Sequence, residues 1–155
     1  MKLYKLNIQG YGRHKDSEIY FSNASFLIGE NNTGKSTILK AVELLLNDKN
    51  KLSEDSFFQF AHEYGIDSCN EVTLTAEFRD LPDEASTWRG FRGRIFPYSS
   101  IDSEGQETSG NSIFYRKTFR PGTSRKIEMK SRQKAKKEAL EGVKTIADFI
   151  NHGFQ

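Results

Sequence analysis

Gly29-Glu30-Asn31-Asn32-Thr33-Gly34-Lys35-Ser36, followed by Thr37, is the stretch whose residue types and spacing point most directly to chemistry. It matches G-x-x-x-x-G-K-[ST], the pattern of a loop that holds a phosphate chain. Gly29 and Gly34 permit backbone angles and close approaches that a Cβ blocks. The turn aims successive N–H groups inward as a nest for phosphate oxygens. Those amides run on into a helix N-terminus, whose dipole also favours an anion. Lys35 can reach the β- and γ-phosphates of a bound nucleotide, and the Ser36 hydroxyl can ligate Mg²⁺. The plainer reading is a glycine turn joining a strand to a helix. Chance supplies the four matched positions in well under ~1% of chains this long.

Such a loop needs a strand before it and a helix after it. Phe26-Leu27-Ile28 is an unbroken apolar run suited to an interior strand. From Lys35 onward, Ile38, Val42 and Leu45, with Leu39 and Leu46 beside them, follow a helical stripe that NDKNK (47–51) ends. Upstream, Tyr4, Leu6 and Ile8 alternate with polar residues as in a half-buried strand. Gly10-Tyr11-Gly12 reads as a turn and residues 17–21 as a second short strand. Downstream, residues 53–60 read as a short helix capped by Ser53 or Asp55. Residues 71–78 form a strand with Val72, Leu74, Ala76 and Phe78 on one face. Residues 112–119 predict another strand, Arg94-Ile95-Phe96 a weaker one, and residues 99–111 a polar loop. The tail from Ser131 reads as helical, with Thr145 and Asp148 placed to cap a last turn. Strands, a glycine loop with its helix, then more strands make an α/β class, with α+β as the alternative.

Composition closes off other classes. At 155 residues the chain is the size of one domain, with 12% aromatic and 35% apolar residues, so it can build a core. No apolar run approaches the ~20 residues of a membrane span, and the start lacks a signal-peptide core. Cys69 is the single cysteine, which excludes an internal disulfide and fits a reducing cytoplasm. His14, His62 and His152 are scattered without metal-ligand spacing. The net charge of +2 is uneven. Residues 116–137 hold ten Lys or Arg against one acid, Glu128. Such a basic segment could neutralise DNA phosphates, with Lys130, Lys134 and Lys137 on one face of a helix and Arg132 and Lys136 off it. Trp88-Arg89-Gly90-Phe91-Arg92-Gly93-Arg94 adds aromatics beside arginines, as single-strand binders do. The alternative is a solvated helix face and a glycine-rich hairpin.

The layout of strand, aromatic-glycine turn, two strands and GENNTGKSTILKAVELLL resembles the N-terminus of ABC-type ATPase heads of the SMC and RecF group. It is most similar to the ATP-dependent nucleases of the OLD (overcoming lysogenisation defect) family, over about residues 1–84. The resemblance implies a P-loop NTPase fold, ATP and Mg²⁺ as cofactors, and DNA as a partner. It also implies a homo-oligomer or a complementary ATPase subunit, and a role in phage defence. Members of the group carry an aromatic-Arg pair before the second strand. Here the aromatic is Tyr11, Gly12 takes the arginine's place and Arg13 follows, which makes Arg13 a candidate nucleotide or DNA contact and equally a surface arginine. Hydrolysis in these heads requires a Walker B strand ending in acids and a signature motif. Asp83-Glu84 follows Asp80-Leu81-Pro82, which is no apolar strand, and no L-S-G-G is present. Nothing matches the Toprim nuclease domain of OLD proteins. Residues 1–155 therefore read as a single ATP-binding domain, the N-terminal part of a larger head, that binds ATP without turning it over alone. Two alternatives stay open: an ATP-binding interaction scaffold, and a GTPase-like switch at Asp102-Ser103-Glu104-Gly105-Gln106-Glu107.

Overall fold

The period-two alternation near the N-terminus forms β1 (Lys2–Tyr11), in which Leu6 and Ile8 are fully buried. The computed structural model describes residues 1–21 and 35–131. After β1 come β2 (His14–Tyr20), α1 (Lys35–Leu46), β3 (Gln59–His62), β4 (Gly65–Ser68) and β5 (Val72–Arg79). They are followed by β6 (Phe96–Ile101), β7 (Glu107–Phe119) and β8 (Lys126–Met129). The main sheet runs β2-β1-β5-β7-β6, with β8 also paired to β7, and every pairing is antiparallel. β3 and β4 form a separate hairpin.

Register explains where the core lies. Leu6 faces Ala76, Ile8 faces Leu74, Ile113 faces Phe78 and Phe119 faces Val72, so the alternating apolar residues of three strands share one face. Ala41, Leu44 and Leu45 of α1 belong to the same buried cluster. Each such side chain contributes roughly 1.5–3 kcal/mol over leaving it in water. The opposite face presents Asn7, Gln9, Thr75 and Arg116 and carries no helix among the described residues. The result is an α/β fold built on an antiparallel sheet.

The strand expected around Tyr4, Leu6 and Ile8, those at 71–78 and 112–119 and the helix from Lys35 are present, but β1 runs on through Gly10 and Tyr11, which the residue pattern puts in a turn, and the turn itself lies at Gly12 and Arg13. In the helix, however, Leu39 points outward and is 59% exposed. Three further expectations are corrected. Residues 53–60 do not form a capped helix. A single 3₁₀ turn spans Glu54–Ser56, Ser53 makes no side-chain cap bond, and the chain then enters β3. Phe57 is pulled into the core and bridges Tyr11, which demands extended backbone there. Residues 99–111 are not a loop but most of a hairpin, β6 and β7, around a turn at 102–106. Both strands are exposed at that end and joined by polar pairs, Ser99 to Glu107 and Ser100 to Thr108, so no apolar alternation announces them. The weaker strand expected at Arg94 begins instead at Phe96, because Arg94 closes a turn. The apolar run 26–28 and the tail with its Thr145 cap lie outside the described residues.

Candidate functional site

α1 begins at Lys35, directly after the glycine loop, whose residues Gly29, Glu30, Asn31, Asn32, Thr33 and Gly34 lie outside the described residues. The Ser36 hydroxyl end of the helix is exposed and Thr37 is half-buried. The first turn of α1 carries no acidic residue, so nothing on it opposes an anion.

The β1–β2 turn is pressed onto this helix start. A Cβ on Gly12, whose φ is 57°, would sit 2.6 Å from Thr37 Cγ2. A Cβ on Gly10, with φ 74°, would sit 2.2 Å from the Glu71 carbonyl oxygen. Gly10 therefore lets β1 close against the start of β5, and Gly12 lets the turn reach α1. This is the physical reason for glycine where the resemblance leads one to expect arginine: at position 12 a side chain has no room. Arg13, the next residue, is exposed in the same turn. The turn is held from below, where the Gly12 N–H donates to Ser56 O at 2.9 Å and the Phe58 N–H to Gly10 O at 2.8 Å. Tyr11 packs inward, and burial, aided by the Glu43 carboxylate of α1, raises its phenol above its ordinary range. The turn that carries Arg13 is thus packed against Thr37 of the helix start, one residue after Ser36.

The far end of α1 holds a residue that pattern reading missed. Lys117, in β7 and only 1% exposed, donates from Nζ to Leu44 O at 3.2 Å and Asn47 O at 2.6 Å. These are carbonyls at the C-terminal end of the helix, which has no basic residue of its own in its last turn. A lysine on the sheet supplies the cation that the helix dipole favours there. Burial, with Arg125 nearby, pushes the Lys117 ammonium down to about 8, and Asp48 acts in the opposite direction. Arg125 adds to the anchorage: its N–H donates to Asn50 O at 2.8 Å and its guanidinium to Lys49 O at 3.3 Å. One signal could have found Lys117. It faces Leu74 across the sheet, on the apolar side of two strands whose alternation is otherwise strict.

The basic segment accordingly splits. Lys117 and Arg125 fasten α1, Arg120 pairs with Glu71 at 2.7 Å, and Lys126 approaches Glu128 at 3.9 Å. Among the described residues Arg116 donates to Thr75 Oγ1, and Lys130 lies over the rings of Phe96 and Phe114 at 5.1 and 5.0 Å. Lys130 continues the pairing beyond β8, its N–H donating to Phe114 O, so it stands in extended chain and not on a helix. Arg132, Lys134, Lys136 and Lys137 lie outside the described residues. At 102–106 the Asp102 carboxylate accepts the N–H groups of Glu104 and Gln106, so it is committed to a hairpin turn rather than presented as a switch. Asp83 and Glu84 open a 3₁₀ turn, Asp83–Thr87, and end no strand.

Residues 1–152 match the AAA ATPase domain family. The chain belongs to it. This AAA ATPase domain chain is also similar to a solved structure from work on ATP-driven dimerization and DNA-stimulated activation of SMC ATPases. The TM-score is 0.58 at 18% identity, covering 99% of this chain and 80% of that one. At that identity the likeness shows a shared fold, that of an SMC-type ATPase head. No curated protein matches the sequence. The AAA ATPase domain reading and the helix start described above agree on an ATP-binding ATPase of the P-loop class. No helix among the described residues is long and apolar enough to cross a membrane.

Proposed function

We propose that residues 1–155 are a single ATP-binding domain, the N-terminal lobe of a larger head in a DNA-acting ATPase of the OLD or RecF kind. The observation that carries this is the G-x-x-x-x-G-K-S loop opening α1 in a chain of the AAA ATPase domain family. Gly29 to Gly34 cradle the phosphates, Lys35 reaches toward the β- and γ-phosphates, and Ser36 with Thr37 caps the cradle. The exposed hydroxyl of Ser36 at an acid-free helix start fits Mg²⁺ coordination. Mg²⁺ there would be held through the Ser36 hydroxyl and would offset the charge of the phosphates. Arg13 stands in the turn packed on Thr37, placed to meet the nucleotide or its partner. A cytoplasmic setting, a second ATPase subunit and a role in phage defence follow from the same reading. They rest on the resemblance.

One observation favours a second reading in which the chain binds ATP to dock a partner without turnover. Among the described residues the adjacent acidic pairs are Glu54-Asp55 and Asp83-Glu84, and each lies in a 3₁₀ turn rather than at the end of a strand. Titrating the pure chain with ATP and Mg²⁺ is expected to show binding with negligible phosphate release. Oriented water and positioned charge supply most of phosphoryl-transfer catalysis, and the loop supplies only part. Steady turnover, lost in Lys35→Ala, would show that an activating acid is present after all.

The DNA half of the proposal rests on the charge of the basic segment 116–137, ten Lys or Arg against Glu128. Glutamine at Lys130, Lys134 and Lys137 is expected to weaken binding equally for unrelated duplex sequences. Each lost phosphate contact flattens the slope of log K against log salt by roughly one unit. Unchanged affinity and slope would make the stripe a solvated face and leave the docking scaffold as the better reading.

A further inference from the structure

We propose that the cleft between residues 81–95 and Asn111 is a binding site for single-stranded nucleic acid. It is remote in sequence from both the phosphate loop and the basic stripe, and rests on the nucleic-acid half of the reading above only for its class of ligand. The cleft is about 820 Å³ and is lined by Trp88, Arg89, Arg92, Asp83, Ile95 and Asn111, among others.

Its architecture comes from a short tandem pattern, aromatic-Arg-Gly followed by aromatic-Arg-Gly, in residues 88–93. The Phe91 N–H donates to Trp88 O at 3.1 Å and the Arg94 N–H to Phe91 O at 2.9 Å, which makes two consecutive four-residue turns. Gly90 and Gly93, with φ 85° and 74°, hold the third position of each, where type II geometry requires a positive angle. Each aromatic is therefore the first residue of a turn and each arginine the second. Phe91 is 1% exposed and Trp88 half-buried, the two rings meeting edge to face at 5.2 Å. Arg89 and Arg92 are both exposed, and among the described residues neither meets an acid. Arg94 is 4% exposed and its Nη1 donates to Gly90 O at 2.7 Å, bracing the first turn from inside. The arginines are thus presented by a fixed backbone.

Two unpaired guanidiniums beside a half-buried indole suit an anionic ligand that also offers a flat ring. Arginine binds phosphate through its fork, and base–aromatic stacking on Trp88 adds a contribution indifferent to sequence. Asp83 and Asn111 offer an acceptor and an amide to base edges. A duplex keeps its base faces stacked inside, so stacking on Trp88 selects an unpaired strand.

Trp88 is the only tryptophan in the chain, so its fluorescence reports this cleft alone. Titration of the full chain with oligothymidylate of roughly 15 nucleotides at low salt is expected to quench it to saturation. Arg89→Gln/Arg92→Gln sits at exposed turn positions that accept glutamine. It is expected to weaken binding about tenfold and to flatten the salt slope by roughly 1.4 units, the single-strand value for two contacts. Arg116→Gln/Lys130→Gln, on the other surface, is expected to leave the quench in place, and ATP affinity by calorimetry should be the same in both variants. No quench, an equal quench in the Arg89/Arg92 variant, or an equal quench by a duplex of the same length would overturn the assignment. A quench lost only in the Arg116/Lys130 variant would overturn it as well, placing the strand on the stripe.

Discussion

Lys35→Ala is expected to reduce ATP binding about a hundredfold or more while the protein stays folded. Charge-assisted hydrogen bonds are worth roughly 1.5–3 kcal/mol each, and Lys35 is the cation that the motif aims at two phosphates. The fold should survive, because α1 is held by Ala41, Leu44 and Leu45 and by Lys117 at its far end. Alanine is also the best helix former, so the first position of α1 gains nothing by melting. Ser36→Ala should act differently, weakening mainly the Mg²⁺-dependent part of the affinity. Calorimetry with and without Mg²⁺ separates the two. Equal ATP affinity for wild type and Lys35→Ala, with matching melting curves, would sink the assignment of the loop. A strong preference for GTP over ATP would revive the switch reading of residues 102–107.

The second large effect belongs to Lys117. Its ammonium titrates near 8 in the folded chain against 10.5 for a free lysine, because burial disfavours the charge. Between those values the unfolded chain binds the extra proton, so stability rises with pH. The contribution is complete above the unfolded value and is lost as pH falls through about 8. A gap of this size corresponds to roughly 3 kcal/mol. Urea unfolding of wild type and Lys117→Met from pH 7 to 10 should therefore give curves that diverge, with wild type gaining and the methionine variant lacking that gain. Tyr115, which shares Arg125 and Asp48 as neighbours, is raised by burial above the ordinary tyrosine range and adds no charge in this window. Lys117→Ala removes the stem as well, and should cost roughly 2–4 kcal/mol at neutral pH through a cavity and two orphaned carbonyls. Parallel pH curves for wild type and Lys117→Met would mean that the lysine is not buried against α1 in solution.

These two lysines mark the division between what residues announce and what the fold decides. Lys35 is legible because a phosphate-holding turn is a local device: its glycines, lysine and hydroxyl must be adjacent in the chain, so spacing alone betrays them. The strand around Tyr4, Leu6 and Ile8, those at 71–78 and 112–119 and the helix from Lys35 are legible for a related reason. A half-buried element writes its own period into the apolar residues. The β6–β7 hairpin writes none, because at residues 99–109 its strands are exposed and held by polar pairs, and a polar strand looks like a loop. The role of Lys117 is invisible locally, since its partners Leu44 and Asn47 lie more than 60 residues away and a lysine within a basic run reads as solvated. Gly12 is intermediate. Its departure from the arginine of similar proteins shows in the sequence, but its cause, Thr37 packed against the turn, exists only once β1 and α1 meet. Local chemistry specified the glycine loop; long-range packing decided which basic residues, Lys117 and Arg125 among them, are taken up in the structure.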